Sequence, residues 1–142
     1  MSMPTNGPSL PSTADRSRRG GRGPTIGWVL GGLGAAFMLF SAGGKFLQPD
    51  GMAQMLEKLG WSASKLTAIG VVEVACVALY LIPRTSVLGA VLLTGYLGGA
   101  TATHVRVADP WFLPVLIGVF FWIALGLREP RVWALLPLRR AA

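Results

Sequence analysis

Residues 23–44 read GPTIGWVLGGLGAAFMLFSAGG, 22 positions without a charged side chain. A helix needs about 20 predominantly apolar residues to cross the hydrocarbon core of a bilayer. The apolar core of a secretory signal runs to only about 7–15. The stretch therefore predicts a retained membrane-spanning helix over residues 26–46. Three more apolar runs follow it, predicting helices over residues 66–82, 87–105 and 111–127. Chain breakers separate them: Pro49-Asp50-Gly51, Pro83-Arg84-Thr85, Ala108-Asp109-Pro110 and Arg128-Glu129-Pro130. Pro114 falls in the first turn of the last run, where its missing N–H costs little. The expected fold is an all-α polytopic membrane protein, a four-transmembrane-helix bundle.

The remaining segments take lesser roles. Met52, Met55, Leu56 and Leu59 recur at helical spacing, with Gln54, Glu57 and Lys58 opposite. They predict a short amphipathic helix between spans one and two, lying in the interface or packed on the bundle. A second amphipathic stub is expected over residues 132–138, before a basic end at 139–142. Residues 1–24 mix Pro, Gly and Ser with Arg16, Arg18, Arg19 and Arg22, and read as a disordered basic tail. The membrane domain is then residues 25–138.

Composition agrees. The chain is 52% hydrophobic and 13% charged, where a soluble domain carries about 25% charged residues. A water-soluble enzyme and a disordered chain are both disfavoured. The net charge of +7 would suit a nucleic-acid partner, but the charges lie at the chain ends and in the loops. Basicity here reads as topology, with the lipid bilayer as partner and no nucleic acid. With the N-terminus inside, nine cations fall inside: Arg16, Arg18, Arg19, Arg22, Arg84, Arg128, Arg131, Arg139 and Arg140. Four fall outside: Lys45, Lys58, Lys65 and Arg106. The bias predicts a multi-pass protein of the inner membrane with both termini cytoplasmic.

Cys76 and His104 are the single cysteine and the single histidine. One cysteine excludes an intramolecular disulfide and a Cys-based zinc or iron–sulfur site. One histidine excludes bis-His haem ligation by one chain. No metal site is expected.

Glu73 stands near the middle of the second span. An ionised carboxylate there costs at least about 2.5–3.5 kcal/mol. It must be protonated, paired, or facing a wet cavity. An intramembrane acid points to function by default, and the alternative is a hydrogen bond that holds helices together. Cys76 and Tyr80 share its face at i+3 and i+7. Cys76 reads as a small buried hydrophobe, and Tyr80 as an aromatic at the inner interface. Lys45 closes the first span, one turn after Ser41. It either snorkels outward or turns in toward Glu73, which lies about 10 Å deeper by helix rise. A direct pair needs the bundle to bring the two together; otherwise a water or ligand bridges them. His104 and Arg106 end the third span on the same outer side, and Tyr96 falls at the depth of Glu73. Thr101 and Thr103 add hydroxyls between. Trp122 either packs or faces Glu73 to stack on a flat apolar ligand. The candidate site is thus Glu73 and His104 for proton chemistry, with Lys45, Arg106, Tyr96 and Trp122 for binding. Two G-x-x-x-G pairs, Gly27/Gly31 and Gly95/Gly99, allow close helix approach.

Several stretches resemble the DoxX-like family of integral membrane proteins. They are SAGGKF (41–46), LGW (59–61), GVVE (70–73), IPRT (82–85), LGA (88–90), WIALGLR (122–128) and, most specifically, TGYLGGATATHVR (94–106). The likeness covers residues 26–137 and leaves the basic tail outside. The resemblance implies a four-helix membrane bundle, and motif positions at Lys45, Glu73, His104 and Arg106. The family name derives from a subunit of an archaeal quinone-linked oxidase associated with thiosulfate oxidation.

On that analogy the first expectation is a quinone-linked, redox-associated subunit with a polar intramembrane pocket. A membrane quinone is its candidate cofactor. The chain shows no electron carrier of its own, so a redox partner subunit or direct quinone chemistry is required. A homo-oligomer is a further possible assembly. The second expectation is a cofactor-free acid–base isomerase or hydrolase on a lipophilic substrate, with Glu73 as general acid. The third is a non-catalytic membrane scaffold or assembly factor.

Overall fold

The computed structural model describes residues 22–47, 51, 54, 57–58 and 60–135. The chain is all-α in these residues. Helix α1 spans Arg22–Leu47, α2 Ala63–Leu81, α3 Ser86–Arg106, α4 Phe112–Arg128 and the single turn α5 Val132–Leu135. Helix α1 begins at Arg22, ahead of the expected start at 26, with Pro24 in its first turn. A proline there forfeits no intrahelical bond. The remainder of the basic tail and residues 136–142 lie outside the described residues. So does the apolar stripe of the amphipathic segment, Met52, Met55, Leu56 and Leu59. Its polar members Gln54, Glu57 and Lys58 are helical and exposed.

Each helix packs on its chain neighbours, and α4 closes back onto α1. The turn from α2 to α3 is fastened by side chains. Thr85 Oγ donates to Leu79 O at 2.9 Å, and Ser86 Oγ to Pro83 O at 3.2 Å. In the turn from α3 to α4, Ala108 takes φ 57° and the Asp109 N–H returns to His104 O at 3.1 Å. A left-handed alanine is uncommon, and the two ends of that turn hold it there.

Two helices, Arg22–Leu47 and Ser86–Arg106, are long and apolar enough to cross a membrane, and only 28% of the apolar window of each is buried. The core helix of a water-soluble protein buries most of such a window. Here Leu33, Leu39, Leu88, Val91 and Leu116 are all exposed. Helix α4 is apolar as well, at 17 residues.

The tight packing lies in the half of the bundle that holds the α2–α3 turn. Tyr80 and Phe121 are both buried and meet edge to face at 4.8 Å. The Tyr80 hydroxyl donates to Phe121 O at 3.1 Å. This replaces the interfacial position expected for Tyr80. Arg128 is buried too, its guanidinium lying 4.3 Å from the Trp28 ring and 4.6 Å from the Tyr80 ring. Its Nη2 donates to Tyr80 O at 2.6 Å, while Nη1 makes no hydrogen bond. Two aromatic faces hold a charge that lacks full hydrogen bonding. Arg128 is therefore a packing element as well as a charge at the end of α4.

A Lys at 128 keeps the charge but loses the flat face that stacks on both rings. Arg128→Lys is expected to cost about 1–2 kcal/mol. It should lower the thermal midpoint in lipid discs by about as much as Trp28→Leu does. An unchanged midpoint in both would show that the stack contributes nothing.

Candidate functional site

The four helices separate toward the end that carries the α1 C-terminus and the α3–α4 turn. The two halves differ in what their glycines meet. In the tight half, Gly27 faces Ala124 and Arg128, Gly31 faces Tyr80, and Gly34 faces Phe120 and Phe121. Gly89 lies against the backbone of Tyr80. Glycine lets these backbones close up. In the other half a cavity of about 950 Å³ opens among all four helices. Met38, Leu66, Ile69, Leu97, Leu113 and Ile117 supply apolar wall.

Four polar side chains meet at one wall of this cavity. Glu73, 1% exposed, accepts from Lys45 Nζ at 2.8 Å, and the Lys45 side chain is 18% exposed. The same ammonium donates to Ser41 Oγ at 2.8 Å, one turn back on α1. Tyr96 approaches Glu73 from α3, with its phenol in side-chain contact with the carboxylate. Lys45 therefore turns inward and does not snorkel, and its four-carbon stem closes the gap in depth without a bridge. Ser41 helps to aim it. Helix α1 carries Ser41 and Lys45 one turn apart on the inner face, so one helix supplies both donor and guide.

His104 lines the cavity one and two turns along α3 from Ala100 and Tyr96. Its Nδ1 is buried without a hydrogen bond, and Asp109 Oδ2 stands 3.8 Å away. Thr103 and Trp61 also line the cavity on this side. Asp109 was legible only as a turn residue, and Trp61 only as part of the LGW stretch of the family resemblance. The signal for Asp109 was its place five residues after His104, where the turn folds it back.

Lys45, Glu73, Tyr96 and His104 thus share one cavity. The other two candidates do not join them. Arg106 is exposed, with its guanidinium beside Gly60 and outside the cavity. It lies two residues past His104, which turns it about 200° around the helix. Trp122 lines a separate crevice between α3 and α4. Its indole N–H donates to Thr94 Oγ at 2.9 Å, so the face expected to meet Glu73 is spent on α3. Trp122→Phe is expected to cost under about 1 kcal/mol, the scale of one interhelical hydrogen bond in a membrane. It should leave ligand retention unchanged in lipid discs, and loss of ligand would show that Trp122 serves the cavity after all.

The DoxX-like family matches residues 29–127. The chain belongs to the DoxX-like family. No curated protein and no solved structure matches it. Family, apolar helices and exposed Leu and Val together make this a membrane protein.

Proposed function

We propose that the protein is a quinone-linked membrane subunit whose cavity receives the quinone head group beside Lys45, Glu73 and Tyr96. One observation carries the reading: an ion pair with a buried carboxylate stands at the wall of a cavity and not inside a packed core. A buried pair contributes little net stability over an apolar pair of equal size. Its position against open apolar volume suits recognition of a polar head on a lipophilic molecule.

The residues fit such a group. A cavity of about 950 Å³ falls within the range of roughly 300–1,000 Å³ common for ligand sites. Its walls are apolar and its polar groups converge, as such sites require. Lys45 and Tyr96 offer N–H and O–H donors toward a carbonyl oxygen. Glu73 holds Lys45 in place and is an acceptor for a hydroxyl. His104 adds an imidazole to the polar lining of the same cavity. A bound quinone supplies two-electron, two-proton redox chemistry, and a partner subunit supplies or removes the electrons.

The four long helices cross the bilayer as four spans in this reading, with both termini cytoplasmic in the inner membrane. Arg128 is occupied by its aromatic stack and Lys45 by Glu73. Without these two the sequence count is still eight cations inside against three outside, so the orientation does not depend on them.

The test is extraction of purified protein from lipid discs, with co-purifying small molecules identified by mass spectrometry beside a Glu73→Gln sample. A quinone held by the wild type and lost by the variant is the expected result. A non-quinone lipophile lost in the same way would replace redox with acid–base chemistry. No specific molecule in either sample would leave a scaffold role.

A further inference from the structure

The cavity has two side walls through which it meets the surroundings, and they differ in kind. On one, between α1 and α4, Phe37, Phe40 and Leu113 stand in the gap. On the other, between α2 and α3, the lining residues are Ala68, Val72, Gly95 and Gly99. All four are exposed as well as lining the cavity. A Cβ built on Gly95 or on Gly99 meets nothing within 4 Å.

The antiparallel register shows that these residues face one another. Gly89 touches Tyr80, which fixes the two helices against each other. Stepping nine residues back along α2 and nine forward along α3 brings residue 71 opposite residue 98. Val72 thus lies level with residue 97, midway between Gly95 and Gly99, and Ala68 level with residue 101, half a turn beyond Gly99. Residues that line a cavity and also reach the surface, facing each other across one seam, mark a slot.

Glycine inside a helix is unfavourable by roughly 0.5–1 kcal/mol against alanine. Gly27, Gly31, Gly34 and Gly89 return that cost as close packing. Gly95 and Gly99 return none among the described residues. Neighbouring Gly98 is also open, but it lines the separate crevice and not the cavity.

We infer that the cavity is filled sideways from the bilayer, through the slot between α2 and α3. The ligand class is a molecule with a compact polar head and a long flexible hydrocarbon chain. Its head sits beside Lys45 and Glu73, and its chain leaves along Gly95 and Gly99 into the surrounding lipid. The inference rests on reading this cavity as a ligand site, and it holds for any head group that suits Lys45 and Glu73. A chain passing through the slot stays in hydrocarbon along its whole length. Passage by the open end would drag it past His104, Asp109 and water, which is unfavourable in proportion to the apolar area exposed.

The experiment uses the full chain in lipid discs doped with a long-chain alcohol that carries a diazirine beside its hydroxyl head. After illumination, labelled residues are identified by peptide mass spectrometry. The expected result is label on the inward residues Glu73, Tyr96 and Ile69 in the wild type. The pair Gly95→Leu with Gly99→Leu should lower that inner labelling at least fivefold. Gly98→Leu should leave it within twofold, and all three proteins should elute as one monodisperse species. The leucines meet open space, so folding is not at risk from packing. Inner labelling that survives in the Gly95→Leu, Gly99→Leu protein would overturn the slot, as would wild-type label confined to outward residues such as Val91 and Leu116. Adding a long-chain benzoquinone separates the two readings. Displacement of the inner label supports the quinone, whereas label that enters but is not displaced upholds the slot and refutes the quinone.

Discussion

Lys45→Met is expected to be the most damaging single change at the cavity. It leaves Glu73, 1% exposed, with no counter-ion. Breaking one side of a buried ion pair costs about 3–5 kcal/mol, because the remaining charge keeps its desolvation penalty and loses its attraction. Glu73→Gln should cost less. Lys45 retains some exposure and keeps Ser41 Oγ as acceptor at 2.8 Å, and its flexible stem can carry the ammonium outward. The double change Lys45→Met with Glu73→Gln should restore most of the stability, since replacing both partners is close to neutral. Ligand retention should stay lost in all three proteins. Unfolding midpoints in lipid discs give the order: Lys45→Met lowest, Glu73→Gln intermediate, the double change nearest to wild type. Strictly additive losses would show that the two side chains are not coupled. A double change that kept its ligand would remove the pair from the binding site.

Gly89→Val is expected to damage the fold itself, and so to exceed any change at the cavity in its effect on yield. A Cβ on Gly89 would lie upon the backbone N and Cα of Tyr80 and 2.6 Å from Leu79 C. Backbone cannot rotate aside as a side chain does, so α2 and α3 must part at their turn. Overpacking costs roughly 1–3 kcal/mol when side chains can adjust, and occasionally more. The rigid contact places Gly89→Val at or above the top of that range. Tyr80 would shift with its helix, and the Phe121 contact and the Arg128 stack depend on its position. Gly95→Val, one helix position of the same type with nothing within 4 Å, should change the midpoint little. Equal loss in both would show that contact with the Tyr80 backbone does not set the cost.

The helices were legible because their causes are local. Chain breakers at Pro49-Asp50-Gly51, Pro83-Arg84 and Asp109-Pro110 end apolar runs, and each run is a helix within a few residues of its expected bounds. Glu73, Lys45, Tyr96 and His104 were also legible. A charge or dipole in an apolar run is costly alone, so each announces a need for partners. Which partners it takes is a different question. Arg106 and Trp122 looked equivalent to the others in sequence, yet one faces outward beside Gly60 and the other donates to Thr94. Helix phase relative to the neighbours decided both. Tyr80 and Arg128 likewise read as residues at an interface. They are buried against one another and against Phe121 and Trp28, and the Tyr80–Arg128 contact alone spans 48 positions of chain.

The two G-x-x-x-G pairs show most sharply how far a sequence goes. Gly27/Gly31 and Gly95/Gly99 have the same residues, the same spacing and the same local preference. The first pair packs against α4 and Tyr80, and the second borders the open cavity. By itself the sequence determined the apolar helices, their breaks and the few polar side chains that an apolar run cannot leave unpartnered. Each follows from free energies that belong to a residue and its near neighbours. Only the tertiary structure decided that Lys45 meets Glu73, and that one glycine pair closes an interface while the other leaves a wall open. Those outcomes depend on which surface arrives opposite, and that is fixed by packing over the whole bundle.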